Sequence, residues 1–509
     1  MYGYNKLFGA WIPLWLPKSS LLISVLLVSC SSITSTTFGY DASMINGLNI
    51  LPSYVDYFHL NPATTGLNTA SLYIGGCVAA VTWGKVTDVI GRRPALLWAA
   101  IISLIAVILQ SAAQNVAMFV IARIILGYGT SASGISGPAY LAETLPLHWR
   151  GWGLGVFNDF YYISVPTGGL IAAGLTYGTS FIASTWAWRI PSIVQGVFSI
   201  FCIIIIPFIP ESPRWLLFQG RRDEAHVVLA QTYSNGDLND KVVLAQLQEM
   251  EDTFEHERNA GQTLSVVQIF KTKSARKRMW LAVSAAVFST IAGNVIASYY
   301  LGTMLANAGI SSTKKQLQIN IILNAFCLCC SVFGTYFIDR WGRKMTAAIS
   351  TSLLTVFLFL VGALTKVFGN SNNTSGVYAT VGMIFLFQGA YSIGWTPVLY
   401  LYPPEVLNYP IRANGMGVFT FFLNATALLI VFTMPIALVD IGWKTYMING
   451  SWDIVMLGLI LYYWIETKGK TLEEIDELID GDRHTDVPDL ARIIRGEKEI
   501  QFGYGTEKE

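Results

Sequence analysis

Twelve runs of mostly apolar residues recur along the chain, near 21–48, 66–84, 94–113, 116–142, 152–176, 188–209, 279–306, 316–338, 344–367, 377–403, 410–437 and 443–465. Short polar stretches separate them. About 20 mostly apolar residues suffice for a helix to cross a bilayer, and in hydrocarbon every backbone N–H and C=O must find an internal partner. Each run therefore predicts one spanning helix. The series is interrupted once, at 210–278, where acids and bases mix at helical spacing, as in Arg221-Arg222-Asp223-Glu224-Ala225-His226 and Gln246-Leu247-Gln248-Glu249-Met250-Glu251. That stretch predicts two to four short amphipathic helices lying under the membrane. The expected organisation is an N-terminal segment 1–20, a six-helix bundle 21–209, the linker 210–278, a second bundle 279–465 and a tail 466–509. In the tail, Thr471-Leu472-Glu473-Glu474 has the form of a capping box, and disorder is expected beyond about 484. The first apolar run leads into Ser/Thr and then Gly39-Tyr40-Asp41 without a small-residue cleavage site, which predicts a retained helix and not a signal peptide.

An even number of spans puts both termini on one side, and basic residues say which. Lys85, Arg92, Arg93, Arg150, Arg340, Arg343, Lys344 and Arg412 all fall in loops on the same side as the long linker. The opposite loops near 49–65, 111–116 and 177–187 hold no Lys or Arg, with Lys314 and Lys315 as a local exception. Both termini are thus expected in the cytoplasm. Two overlapping sequons, at Asn372 and Asn373, fall on the outer side. Only 13% of residues are charged and 53% are hydrophobic, against about 25% charged in soluble domains. The net charge of +1 gives no reason to expect a nucleic-acid partner. All six cysteines lie in apolar runs and lack zinc-like spacing with histidine, so neither a disulfide framework nor a metal site is expected. No nucleophile–base set can be argued, which excludes an enzyme, and no cofactor is implied.

The two halves echo each other. The loop after the second run reads Asp88-Val89-Ile90-Gly91-Arg92-Arg93, and that after the eighth reads Asp339-Arg340-Trp341-Gly342-Arg343-Lys344. Glycine permits a tight turn there, while the acid and bases can pair with neighbouring helix ends. Such pairs either set topology alone or also close the inner side and break when it opens. Further motifs are Arg123-x-x-x-Gly127-x-Gly129, Pro138-x-Tyr140-x-Ala142-Glu143 with Arg150-Gly151, and Pro210-Glu211-Ser212-Pro213-Arg214. Tyr299-Tyr300, Pro397 through Glu405 with Arg412, and Glu466-Thr467-Lys468-Gly469 complete the set. On these residues the chain resembles the sugar porter family of the major facilitator superfamily over about 21–480. Trp188 through Gln195 and Gly293-Asn294 followed by Tyr299-Tyr300 look most like fungal lactose and cellodextrin permeases. The resemblance implies two six-helix bundles rocking about a central site. It also implies cytoplasmic acid–base networks, here Asp88, Arg92, Arg93, Glu143 and Arg150, with Asp339, Arg343, Lys344, Glu405 and Arg412 in the second half.

Asp41 and Arg123 lie inside apolar runs, where a charge costs about 2.5–3.5 kcal/mol even on the mild insertion scale. Counting about 1.5 Å per residue puts each roughly 10 Å from the outer end of its span, so the two can meet. In proton-coupled members of the resembling family, acid and arginine at these positions form the proton switch; a fixed ion pair locking two helices is the other reading. The resemblance places the substrate pocket at Asn158, Asp159, Ser289, Thr290, Asn294, Tyr299, Tyr300, Trp395, Tyr400 and Asn424. Several of these depart from the family's usual residues: Asp159 and Pro166 stand where glutamines are common, Ser289-Thr290 replace a glutamine pair, and Tyr400 stands where many members have Trp. A polar and aromatic pocket suits a sugar or polyol. Asp453 in the last run has no matching role and is expected to pack against a polar neighbour. Gly75-Gly76 and Gly168-Gly169 are expected to let helices approach closely.

The expected function is proton-coupled symport of a sugar, a disaccharide or relative, across the plasma membrane by a monomer. An uncoupled facilitator, a carrier of another polyhydroxylated solute (polyol, quinate-like acid or secondary metabolite) and a non-transporting sugar sensor are the alternatives.

Overall fold

A computed structural model describes residues 17, 19–145, 165–244, 246–248, 250–251, 272–369, 371, 373–407, 409–468, 475 and 478–479, without the side chains of Pro138, Ala142, Asp339, Tyr400, Tyr409, Pro410, Arg412 and Ala413. All regular structure among them is helical. The first half contains α1 (Ser20–Ile50), α2 (Pro62–Ile90), α3 (Arg92–Ser111), α4 (Val116–Thr144), α5 (165–179) and α6 (Trp186–Ile205). The second contains α7 (Lys273–Asn307), α8 (Thr313–Trp341), α9 (Arg343–Phe368), α10 (Thr374–Val406), α11 (Tyr409–Asp440) and α12 (Lys444–Tyr463). Nine of these are long and apolar enough to cross a membrane among the described residues. The others are α2 and α12, whose apolar character is diluted by residues such as Asn68, Asn449 and Asp453, and α5, whose expected beginning lies outside the described residues.

Local chemistry sets the ends. Asn61 caps α2 reciprocally with Thr64, and Pro62 occupies the first turn, where no N–H is needed. Asn115 caps α4 and Asn373, from the predicted sequons, caps α10. One boundary differs from expectation: α7 begins at Lys273, six residues before the apolar run. Its basic first turns form helix without being apolar, and hydropathy sees only the part in lipid. The linker contains Pro213–Phe218 and Arg222–Tyr233. They pack with 241–251 around Trp215, Leu216, Val228, Leu229, Val243 and Leu247, and residues 252–271 lie outside the described set.

Equivalent helices pack in both halves: α2 on α4 as α8 on α10, and α3 on α6 as α9 on α12. The halves meet along α2 and α11, and α1 packs on α7 and α8. Glycines allow the closest crossings, as expected. A Cβ at Gly75 would run into Ile124 and Tyr128 of α4, and one at Gly168 into Thr36 and Tyr40 of α1. Large apolar side chains such as Trp186, Trp280 and Tyr462 remain exposed around the barrel of helices, consistent with a lipid-facing surface. Trp464 is buried and stacked on Tyr402, with ring centroids 4.3 Å apart.

Candidate functional site

Polar residues that recur at helical spacing within apolar helices converge between the halves. Phe38, Ser43 and Asn46 come from α1, Pro166 and Gly169 from α5, and Asn294 and Ser298 from α7. Asn320, Asn324 and Cys327 come from α8, and Gln388, Tyr391, Ser392 and Thr396 from α10. Together they line a cavity of about 220 Å³. None of the described lining residues carries a formal charge. Gln388 donates to Asn294 Oδ1 (2.7 Å), as does the Ser298 hydroxyl (3.1 Å). Asn46 Nδ2 donates to Asn320 Oδ1 across the halves (3.2 Å). Amides with both donors and acceptors beside a few hydroxyls and rings match the face of a neutral hydroxylated ring.

Only Asn294 of the described residues expected in the pocket lines this cavity. Ser289 and Thr290 are buried and return their hydroxyls to the Ala286 carbonyl of their own helix. The reason lies in Gly293, whose φ of +87° breaks α7 and resets the phase of the helix beyond it. Tyr299 sits above the cavity: its hydroxyl meets Tyr73 OH at 2.6 Å and its carbonyl accepts from Asn49. Tyr300 donates to the Val431 carbonyl of α11 (2.6 Å), and Asn46 Oδ1 accepts from Leu301 N–H. The bonds of Tyr73, Asn49 and Asn46 join the halves at the end away from the linker, whereas that of Tyr300 stays within the second half. Trp395 is buried inside the second half, donating to Thr351. Asn424 bonds the Thr420 carbonyl and packs against Gly76 where α2 meets α11. Asn158 and Asp159 lie outside the described residues, as does the side chain of Tyr400.

Behind the α1 wall, inside the first half, Arg123 Nη1 donates to Asp41 Oδ1 at 2.5 Å. The two side chains are 0% and 1% exposed. Gln195 of α6 donates to the same carboxylate oxygen at 2.9 Å. Sequence reasoning did not name Gln195 as a site residue; a neutral amide in an apolar run is a weaker signal than a charge. Asp41 Oδ2 and Arg123 Nε and Nη2 have no hydrogen-bond partner among the described residues. The pair therefore keeps unused donors and an unused acceptor, room to exchange partners.

At the linker end of the helices the repeat is realised almost atom for atom. Gly91 and Gly342 take φ of +99° and +91° and start α3 and α9. Glu211 accepts from the N–H groups of Arg92 and Arg93, as Glu466 does from those of Arg343 and Lys344. An acid at a helix start satisfies orphan donors and complements the dipole. Arg92 pairs with Glu143 at 3.0 Å and Arg343 with Glu405 at 2.9 Å. Ser212 and Thr467 hydroxyls donate to those same glutamates (2.5 and 2.6 Å). Asp88 adds a second carboxylate to Arg92 at 3.1 Å. Arg93 instead reaches the carbonyls at the end of α6, those of Ile206 and Pro207. Lys344 contributes its backbone N–H to Glu466. Arg150 and the side chains of Asp339 and Arg412 lie outside the described residues. Burial pushes the Glu211 carboxyl up to about 7, against the downward pull of the Ser212 and Arg93 N–H donors and of the two guanidinium groups.

A family model described as "Sugar (and other) transporter" matches residues 27–479. The chain is 31% identical over 471 residues to the major myo-inositol transporter IolT of Bacillus subtilis, covering 90% of this chain and 94% of that one. It is 28% identical over 467 residues to a high-affinity glucose transporter of Kluyveromyces lactis, covering 88% and 83%. It is 27% identical over 458 residues to the MFS-type transporter criB of Aspergillus cristatus, covering 89% and 94%. Among solved structures, the proton:xylose symporter XylE bound to 6-bromo-6-deoxy-D-glucose superposes with a TM-score of 0.72 at 22% identity, over 90% of this chain and 100% of that one. That agreement establishes the major facilitator fold.

Proposed function

The chain belongs to the sugar porter family of the major facilitator superfamily, and from that premise we propose that it is a proton-coupled symporter of an uncharged, single-ring sugar or cyclitol. The observation that carries the coupling is the Asp41–Arg123–Gln195 cluster, an acid and a guanidinium with no other ionic partner among the described residues. A static lock would serve as well with apolar residues, since replacing a buried ion pair by well-packed hydrophobes is often neutral or stabilising. Exchange of partners gives the charges a purpose. When helix movement parts Arg123 from Asp41, the carboxylate takes a proton from the outer side. When the inner side opens, the proton leaves and the pair re-forms.

The cargo follows from the cavity. A lining of neutral amides and hydroxyls favours an uncharged polyhydroxylated solute. A volume of about 220 Å³, below the roughly 300–1,000 Å³ of sites for drug-sized ligands, favours one ring over the disaccharide that the sequence suggested. A glucose transporter and a myo-inositol transporter among the relatives support the same class. We place the protein in the plasma membrane as a monomer with both termini in the cytoplasm, following the distribution of basic loops. The bonds of Tyr73, Asn46 and Asn49 to Tyr299 and Leu301 then close the outer side, and the Arg92–Glu143 and Arg343–Glu405 networks repartner as the inner side opens.

The test is uptake of labelled hexoses, pentoses, myo-inositol and disaccharides into proteoliposomes, with and without an uncoupler. Accumulation of a single-ring solute that the uncoupler abolishes is the expected result. Uptake of disaccharides alone would overturn the cargo assignment, and uncoupler-insensitive uptake would favour a facilitator.

A further inference from the structure

One carboxylate has no place in this mechanism. Asp453 of α12 is 0% exposed, and neither Oδ1 nor Oδ2 has a hydrogen-bond partner among the described residues. Sequence led to the expectation of packing against a polar neighbour, and no hydrogen bond to one is formed among the described residues. One helical turn outward on the same face, Asn449 is also buried and its Nδ2 is likewise unpartnered. That nitrogen lies 2.7 Å from where a Cβ on Gly293 would stand. Gly293 is the left-handed break in α7, directly before cavity-lining Asn294. The Asn449–Asp453 stripe thus touches the cavity-bearing helix at the point where it is built to bend.

The charged surroundings can be enumerated. Among the described residues α9 and α7 pack along α12, and α11 touches its outer end, where Thr445 donates to the Ala437 carbonyl and Asp440 is the nearby titratable residue. On α9, Arg343 and Lys344 sit at the inner end and Lys366 at the outer end, with no titratable residue between. On α7, Lys273, Arg276, Lys277 and Arg278 lie at the inner end and Tyr299 and Tyr300 beyond the break, with none from Met279 to Gly293. On α12 itself the nearest are Tyr446, roughly 10 Å outward, and Tyr462, roughly 13 Å inward, counted along the axis. Among the described residues, no cation plays for Asp453 the part that Arg123 plays for Asp41. A fully buried carboxylate without counter-charge is strongly disfavoured, so the site accommodates the neutral acid.

The geometry points to Asp453 as a second proton-binding site, in the C-terminal half, which takes its proton along the Asn449 stripe when α7 swings about Gly293 and opens the outer side, and holds it while that side is closed. When the inner side opens the Oδ–H bond breaks, the electron pair stays on the carboxylate, and the proton passes to water admitted from the inner side. This rests on the alternating-access reading above but not on the role of Asp41.

Two measurements on the full-length protein in proteoliposomes test it. Infrared spectra at neutral pH should contain the carbonyl stretch of a protonated carboxylic acid, shifted on exchange into D2O. Glu211 contributes its own share of that absorption, so the reading is a difference: the band should lose intensity in Asp453→Asn and keep it in Asp41→Asn. The proton-to-cargo ratio, read from the reversal potential with glucose or myo-inositol as probe, should fall by one in Asp453→Asn. A band identical in Asp453→Asn and wild type, or an unchanged ratio, overturns the proposal. Should Asp453→Asn fail to fold, Asp453→Glu keeps the acid but lengthens it, and must move the band; an unmoved band overturns the proposal equally. Failure of the symport reading itself looks different, as an absence of proton flux in the wild type.

Discussion

Replacing Asp41 by Asn removes the only ionic partner of Arg123 among the described residues. Asn keeps the size of the side chain and an oxygen that still accepts from Gln195, so the loss is one of charge. The guanidinium is 0% exposed and its Nη1 lies 2.5 Å from the carboxylate. Breaking a buried pair by removing one partner costs about 3–5 kcal/mol, whereas neutralising both is often close to neutral. Arg123→Gln alone, which strands the acid, should cost a comparable amount. The double variant Asp41→Asn/Arg123→Gln should then be more stable than either single one, with a coupling energy of about 3 kcal/mol. Reversible unfolding in mixed detergent micelles, monitored by tryptophan fluorescence, measures all four corners of the cycle. Additive single effects, or singles within about 1 kcal/mol of wild type, would show that the two charges do not depend on one another, and the switch would lose its basis.

Other outcomes follow from the same structure. Glu211 titrates near 7 when folded and at its ordinary value of 4.5 otherwise. The folded protein then binds the extra proton, so stability is highest below about 4.5, falls as pH rises through about 7, and levels off above, by at most about 3 kcal/mol. Melting temperatures of wild type and Glu211→Gln between pH 5 and 8 should show the slope in the first and its loss in the second; parallel slopes contradict the assignment. Gly342→Ala places a Cβ 2.5 Å from Glu466 Oε2 at a φ of +91°, and should cost at least about 1–2 kcal/mol in unfolding experiments. Gln388→Ala frees Asn294 and removes a cavity donor. It should raise KM about tenfold, the worth of one hydrogen bond of about 1.4 kcal/mol, at unchanged melting temperature; an unaltered KM would take Gln388 out of the cargo site.

The twelve spans were legible because lipid imposes length and apolarity together, and neither depends on distant contacts. Asp41 and Arg123 were legible for a related reason: charges in apolar runs are rare, and depth can be counted from either end. The cavity was much less so. Ser289 and Thr290 look like pocket residues when α7 is imagined as one continuous helix, but Gly293 breaks the phase and delivers Asn294 in their stead. Asn320, Asn324 and Gln388 stood in plain sight as polar positions at helical spacing, yet spacing alone does not say whether a polar stripe faces a cavity or a neighbouring helix. Glu211 and Glu466 were visible as motif residues. Their task of receiving the first N–H groups of the helix after a positive-φ glycine depends on distant chain segments meeting, as the 119 residues between Arg92 and Glu211 illustrate.

The central claim is that an acid and a guanidinium inside the first half part and rejoin with each cargo carried. Cargo-driven proton movement is its most direct measure. Purified protein in weakly buffered proteoliposomes, given an inward gradient of the transported sugar and no imposed pH difference, should alkalinise the external medium. Asp41→Asn should still exchange labelled sugar but alkalinise the external medium less than wild type does. Equal alkalinisation by wild type and Asp41→Asn, or none by wild type during brisk sugar uptake, would contradict the account.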